Sequence, residues 1–539
     1  MTTVAEKVAS TLSRIGVRFV FGVPSGNWVD YLAAIEKTDG LEFVLVSNEG
    51  SAGFMADVCW RMTGRPAACF GTFGPGACNL STGVCCGRLD RSPMIAFSDE
   101  MSDTMLHRTT QMNMDHQAFF APITKWTTRL DPDRVEEILF EAERRALSEV
   151  PGPVHIGLPA DGMGLREAGQ ENVERRKPDP IPAPGKDELT KMTEVFARSE
   201  KPVVALGITA TRAGVRDKIL ALLERYHVPA VLTPMAKGMV PEGHPCYAGV
   251  LAHALADEVG KTHQQADLVV GVGYDPVEIN YEDWIPEVPV LHLDTAPADL
   301  DLDRHRLACD VVGDLSASLD TLLALDVPAR GWDLDALAER RAAMFEKLRA
   351  PANAFDPRSV LDGLREALPQ DGVMTCDVGA HLHLIGQHWR TPAPELQLMT
   401  NGCSSMGYAI PSAIAVKLCR PDREVCGVTG DGGFLMMVGE MATAMRLGKR
   451  IVFVLMTDAN LSLIRIKQEK KGNPRYGTRL HGDGYDSATT FFGVPVYPAR
   501  TEREYKEALS QAFSGDGPAI VEAFVDSNAY DSLILRGNR

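Results

Sequence analysis

The stretch that decides the reading is VCGVTGDGGFLMMVGEMATAMRLGKRIVFVLMTDANLSLI, residues 425–464. An apolar run closes on Gly430-Asp431-Gly432-Gly433. A helical pattern starts near Phe434 and stops at Gly448, and a second apolar run closes on Asp458-Ala459-Asn460. Two short apolar runs around one helix make a βαβ unit with parallel strands. Open sheets of this kind collect ligands outside the carboxyl ends of their strands. Asp458 follows Asp431 by 27 residues, so both strand ends offer oxygen. The helix start offers unpaired N–H groups and a positive dipole end, suited to phosphate. Gly432 and Gly433 let a bulky anion approach the backbone. Two carboxylates and an amide or carbonyl oxygen suit Mg²⁺, which takes a few carboxylates plus substrate phosphates. A plain βαβ unit with a tight glycine turn fits the same residues.

Working outward, the alternation of apolar runs and helical patterns covers nearly the whole chain. Runs at 17–23, 43–47, 67–72, 94–98 and 153–159 form a first group, and 201–208, 228–234, 266–273 and 288–294 a second. Runs at 372–379, 424–430, 450–458 and 518–525 form a third. ENVERRKPDPIPAPGKDE (171–188), rich in charge and proline, reads as a linker. A charged helical stretch at 326–356 leads into the last group. The expectation is three doubly wound α/β domains with parallel sheets, at residues 1–170, 185–345 and 356–539.

The 539 residues exceed one ordinary core, and 45% apolar with 24% charged residues is usual for a globular protein. A formal charge of −17 argues against nucleic acid as a partner. No apolar stretch is long enough to span a membrane, and MTTVAEKVASTLSRIGVRFVFG lacks the look of a signal peptide. A cytoplasmic protein with no membrane partner is expected, its 11 scattered cysteines reduced. There is no GxxxxGK[ST], and GVGYDP at 271–276 lacks the third glycine of a dinucleotide fingerprint.

The GDG of 430–432 with its second oxygen ligand downstream resembles the signature of thiamine diphosphate enzymes. VSNEGSAGFMADVCWRMTGRPAACFGTFGPGACNLSTGV (46–84) resembles their pyrimidine-binding domain, with Glu49 at the position of its glutamate. NGCSSMGYAIPSAIAV (401–416) resembles the segment that bends the cofactor, with Met406 at the supporting apolar position. AKGMVPEGHP (236–245) and VGYDPVEINYEDW (272–284) resemble the middle domain of acetolactate synthase and its relatives. The three domains are thereby expected to be pyrimidine-binding, central and diphosphate-binding.

The resemblance implies thiamine diphosphate and Mg²⁺ as cofactors. The metal would be held by the side chains of Asp431 and Asp458 and the backbone carbonyl of Asn460. Gly432, Gly433, Leu461 and Ser462 would contact the phosphates, with Gly379 and His381 of DVGAHLHL (377–384) on their other side. Glu49 would bond the pyrimidine, and the Ser404 carbonyl would receive its amino group. The family usually has Asn at position 458, so Asp458 adds a negative charge. FAD is not expected, because VGYDPVE resembles the FAD-independent branch near catabolic acetolactate synthase and carboxyethylarginine synthase. Glutamate and Asp431 come from different subunits in the family, so a homodimer or homotetramer with interfacial sites is implied.

The implied reaction is decarboxylation of a pyruvate-like 2-oxo acid and carboligation to a second carbonyl. A decarboxylase that releases an aldehyde and a silent regulatory subunit are the alternatives. The chain has no His-His pair, has Thr72 where benzoylformate-type decarboxylases carry histidine, and reads GTFGPGACNLSTGV (71–84) like the carboligases, with Phe73 for their serine. In TTQMNMDHQAFFAPITKW (109–126), Gln111 and Met112 align with a family His-Gln pair, and His116-Gln117 would match it after a one-turn shift. Gln111, His116 and Gln117 are therefore candidates for moving protons or orienting an acceptor; solvated loop residues are the other reading. Pro24, Ser25, Gly26, Trp28, Phe73, Met112 and Arg465 are expected to line the substrate pocket, with Arg465 and Lys467 facing an anionic group.

Overall fold

The computed structural model describes residues 1–534 except Asn280, Tyr281, Asn353 and Asp483. Asn280 and Tyr281, within the 272–284 motif, lie outside the described residues. The chain forms three α/β units, each around one sheet dominated by parallel pairs. The first sheet contains β1 (Phe19–Gly22), β2 (Glu42–Leu45), β3 (Ala67–Gly71), β4 (Met94–Glu100), β5 (Thr127–Arg129) and β6 (Val154–Pro159), in the order β2-β1-β3-β4-β6-β5. The second contains β7 (Pro202–Leu206), β8 (Ala230–Leu232), β9 (Tyr247–Val250), β10 (Leu268–Val272), β11 (Val290–Asp294) and β12 (Leu307–Val312), in the order β12-β11-β10-β7-β8-β9.

The third contains β13 (Val373–Cys376), β14 (Gln397–Leu398), β15 (Val425–Gly430), β16 (Val452–Thr457), β17 (Thr490–Phe491), β18 (Val494–Ala499) and β19 (Ala519–Phe524). Its order is β14-β13-β15-β16-β19-β18-β17, and only β17 runs antiparallel to its neighbour. Helices cover both faces of these sheets, which is why central strands such as β3, β10 and β16 are apolar without alternation and buried at every residue. In the third sheet the order reverses between β13 and β15, and in the first between β1 and β3. Those reversals open the crevices where ligands bind.

The first and third units pack directly on each other. The Glu49–Thr63 helix, capped by the Asn48 side chain on the Gly50 N–H, lies against the Ala409–Cys419 helix. Arg61 Nη1 donates to the Met399 carbonyl (2.8 Å), and Tyr408 donates its hydroxyl to Asp57 Oδ2 (2.5 Å). Both Asp57 and Tyr408 are fully buried, so each polar atom needs such a partner.

The helix expected from Phe434 to Gly448 differs in two ways. It begins already at Asp431, and it divides into Asp431–Met437 and Glu440–Leu447. The break falls where Gly439 meets the loop after β2: the Gly439 carbonyl accepts from Ser47 Oγ (2.8 Å), and a Cβ there would sit 3.1 Å from Ser47 Cβ. Gly448 closes the second piece at φ +59°, as a left-handed C-cap. No helix among the described residues is long and apolar enough to cross a membrane.

Candidate functional site

Strands β13, β15 and β16 are neighbours, so their carboxyl ends bring Asp377, Asp431 and Asp458 to one edge of the third sheet. Asp431 is 4% exposed. Its Oδ2 accepts from the Ala459 N–H (2.8 Å) and its Oδ1 from the Gly432 N–H (3.0 Å). Ala459 reaches this position with φ +61°, a left-handed turn that folds the 458–460 loop back onto Asp431. Asp458 Oδ1 accepts from the Asn460 N–H (3.0 Å) and Oδ2 from Ser462 Oγ (2.6 Å). Burial first, and then the neighbouring Asp458 charge, push the Asp431 carboxyl up to about 7; burial also raises Asp458. A buried carboxylate and a half-buried one that repel each other, with a carbonyl-bearing turn between them, fit a hard dication.

The glycines have steric reasons. A Cβ on Gly433 would lie 1.9 Å from Asp377 Oδ2, and one on Gly432 would lie 2.8 Å from Met406 Cε and 3.0 Å from Leu461 Cδ2. Met406 and Leu461 thus close on the first turn after β15. On the other side, His381 is wedged between Gly379 and Gly430: hypothetical Cβ atoms there would lie 2.6 and 3.2 Å from its Cε1. His381 Nε2 is 2.9 Å from Asp377 Oδ1, and Asp377 Oδ2 accepts from the Gly407 N–H and Thr429 Oγ1. Asp377 therefore ties together three segments read separately in the sequence. Ser404 stands in the left-handed region at φ +53°, two residues from Met406.

Two site expectations need correction here. The Leu461 N–H is bonded to the Thr478 carbonyl (2.8 Å) and is not free for a phosphate; Ser462 starts the following helix. Arg465 is 1% exposed and does not face a pocket. Its guanidinium pairs with Glu469 (3.0 Å) and Asp531 (2.8 Å) and donates to the Ser527 carbonyl, fastening the helix to the 526–531 segment. Sequence reasoning missed His481, whose Nε2 is 3.4 Å from Asp431 Oδ2 and whose ring stacks on Tyr485 at 4.0 Å. It sits 50 residues beyond Asp431, in a loop with no periodic pattern to flag it.

The first unit builds the second half. Glu49 opens its helix at 8% exposure, and Asn79 Nδ2 donates to its Oε2 (3.0 Å). A Cβ on Gly76 would meet Thr72 Cγ2 at 2.8 Å and Glu49 Oε1 at 3.2 Å, so glutamate and glycine loop share one wall. Thr72 Oγ1 and Ser25 Oγ both donate to Asp99 Oδ2, at 2.9 and 2.6 Å. Asp99, at the end of β4, is 1% exposed, and burial pushes its carboxyl up to about 6. It anchors the loops carrying Pro24, Ser25, Gly26 and Phe73 to one another, a role the sequence did not show. Gly74, beside Phe73, packs against the backbone of Met112. Trp28 is not in the pocket wall: it is 2% exposed, with its ring 3.9 Å from that of Phe70 in the core.

Gln111 and Met112 are exposed, whereas His116 and Gln117 belong to a buried network. Ser98 Oγ lies 2.8 Å from both His116 Nδ1 and His155 Nε2, and His155 Nδ1 is 2.7 Å from Thr127 Oγ1. Gln117 accepts from Thr127 and donates to Glu100, which is also paired with Arg129. Burial lowers the His116 imidazole to about 4 and holds His155 well below its ordinary value, so both rings are neutral. His116 Nε2 is buried without a hydrogen-bond partner.

Within one chain Glu49 and Asp431 face different neighbours. Glu49 bonds Asn79, while Asp431 bonds Ala459 and Gly432. Between their segments stands Glu440, which accepts from the N–H groups of Ser47 and Asn48.

Three family profiles match along the chain: the N-terminal TPP binding domain of thiamine pyrophosphate enzymes at residues 2–119, the central domain at 189–322, and the C-terminal TPP binding domain at 377–523. The chain is similar to a probable acetolactate synthase large subunit of Methanocaldococcus jannaschii, with 28% identity over 99% of this chain and 94% of that protein. It is 26% identical to acetolactate synthase of Bacillus subtilis over 97% of this chain and 93% of the relative. It is 27% identical to the catabolic acetolactate synthase of Raoultella terrigena, over 99% and 96%.

Proposed function

The chain belongs to the thiamine pyrophosphate enzymes, and on that premise we propose that it decarboxylates a pyruvate-like 2-oxo acid and joins the remaining fragment to a second carbonyl compound. The observation that carries the proposal is the pair of carboxylates, buried Asp431 and half-buried Asp458, at adjacent strand ends beside a glycine turn closed by Met406. The similarity of nearly the whole chain to acetolactate synthases supports the carboligation half.

Asp431 and Asp458 would hold Mg²⁺ with their side chains and Asn460 with its carbonyl, and the metal would neutralise the charge of a diphosphate there. Gly432, Gly433 and the start of the Ser462–Lys470 helix receive the phosphates from one side, Gly379 and His381 from the other. Met406 would support the cofactor, the Ser404 carbonyl would accept from its amino group, and Glu49 would hold a proton at its pyrimidine. Thiamine diphosphate, when bound, supplies an electron sink for loss of carbon dioxide. Phe73, Pro24, Ser25, Gly26 and Met112 shape the substrate pocket around the Asp99 anchor. His116 and Gln117 act from behind that wall, through Ser98 and Glu100, and Gln111 lies at the entrance.

Glu49 bonds Asn79 and does not meet Asp431 within one chain, so a second copy completes each site. Leu435 and Met436, 50% and 57% exposed on the helix that begins at Asp431, give that copy an apolar surface to cover. The intact carboxylates and Glu49 count against a silent subunit. Proton NMR of the products formed from pyruvate and other 2-oxo acids tests the proposal, and an aldehyde as sole product would favour the simple decarboxylase.

A further inference from the structure

A crevice of about 450 Å³ opens between the Leu334–Leu348 helix, the Pro357–Ala367 helix and the end of the Ala380–His388 helix. Arg349, Arg365 and Arg390 line it, with Phe345, His388 and Trp389. The acids on its rim are already engaged: Glu346 pairs with Arg349 (3.0 Å) and Asp362 with His388 (2.7 Å). The Arg390 guanidinium lies over the Phe345 ring at 3.6 Å, and that of Arg365 over the Trp389 ring at 4.7 Å.

Arg365 is the informative residue. Its Nη2 donates to the Leu368 and Pro369 carbonyls, at 2.6 and 2.7 Å. Its Nε and Nη1 are buried and have no hydrogen-bond partner; the same holds for Trp389 Nε1, on a side chain 1% exposed. Stacking on the indole uses the face of the guanidinium and leaves the in-plane N–H groups unspent. Guanidinium and indole N–H groups donate only, so all these orphans call for an acceptor. Unsatisfied buried donors are costly, and three arginines add positive charge that the engaged acids only partly offset. Planar guanidinium forks match phosphate and carboxylate oxygens.

We propose that this crevice binds a phosphate-bearing small molecule, whose oxygens accept from Arg365 and Trp389 and whose charge is met by Arg349 and Arg390. The site is separate from the proposed diphosphate cradle. The Ala380–His388 helix has its start at the cradle and its end at the crevice, about 13 Å away at 1.5 Å per residue. The inference does not depend on the proposed reaction.

The test is calorimetric titration of the full-length protein, already saturated with thiamine diphosphate and Mg²⁺, with ATP, inorganic pyrophosphate and citrate. ATP or pyrophosphate should bind once per chain, and R365M/R390M should weaken that binding about tenfold or more while leaving thiamine diphosphate affinity unchanged. Where R365M/R390M does not fold, R349M/R390M reads the same loss at the rim. No binding of either phosphate at millimolar concentration, or equal binding by wild type and variant, would overturn the site. Citrate binding as tight as the phosphates would overturn the phosphate assignment.

Discussion

Asp377 Oδ2 occupies the space that a side chain on Gly433 would need: a Cβ there would lie 1.9 Å away. The same oxygen accepts from Gly407 and Thr429, so it has no room to retreat. G433A should therefore lower stability by about 1–3 kcal/mol, as overpacking does, and weaken thiamine diphosphate binding. Denaturant midpoints and cofactor calorimetry measure the two effects. Unchanged values for both would show that Asp377 moves freely.

Glu49 is buried at the start of its helix, with Asn79 as its hydrogen-bond partner. Replacing it by glutamine keeps shape and removes the acid. E49Q should reduce turnover about 10²–10⁴-fold, the usual range for loss of a positioned acid or base, while the protein still binds the cofactor. Steady-state rates with matched calorimetry check this, and full activity would remove Glu49 from its proposed role.

The charge of Asp458 adds to burial in pushing the Asp431 carboxyl up to about 7. D431A should abolish Mg²⁺-dependent cofactor binding, since it removes the buried ligand. D458N should retain binding with a weaker Mg²⁺ dependence, because the amide still offers an oxygen but carries no charge. Titration of Mg²⁺ at fixed thiamine diphosphate distinguishes the two.

His116 and His155 are neutral and buried in the folded chain, with imidazoles held below the usual 6.5. A depressed folded value means stability is intact above the unfolded value and is lost as pH falls from about 6.5 towards 4. Thermal melts of the wild type should drop across that window. H116N should drop less, and equal slopes would show that neither ring resists protonation there.

Arg465 serves the fold, through Glu469, Asp531 and Ser527. R465M should lower stability by about 1–3 kcal/mol through loss of its hydrogen bonds to Asp531 and Ser527, without raising the KM for a 2-oxo acid more than about twofold. Chemical denaturation and substrate saturation curves check the two halves.

The strands were legible because buried parallel strands are written as continuous apolar runs, and each run ending in Gly-Asp or Thr-Asp pointed to the ligand edge. Asp431 and Asp458 could be placed because they close such runs, and Met406 because residues 401–416 resemble the segment that bends the cofactor. Asp377, Asp99 and His481 could not. Their meaning lies in partners brought together by the sheet, such as Gly433, Thr72 and Asp431, which local patterns do not record. Arg465 and Trp28 were misread for a related reason. A basic or aromatic residue beside a pocket motif looks the same in sequence whether it faces the pocket or the core, and here Asp531 and Phe70 decide the direction. The helix break at Gly439 was hidden likewise, since Ser47, which causes it, lies 392 residues away.

The most direct test of the proposed reaction is proton NMR of the products formed from pyruvate by the purified protein with thiamine diphosphate and Mg²⁺, run beside a control lacking thiamine diphosphate. Acetolactate is expected, formed only when the cofactor is present and lost in E49Q. Acetaldehyde as the sole product, or turnover that persists without thiamine diphosphate, would contradict it.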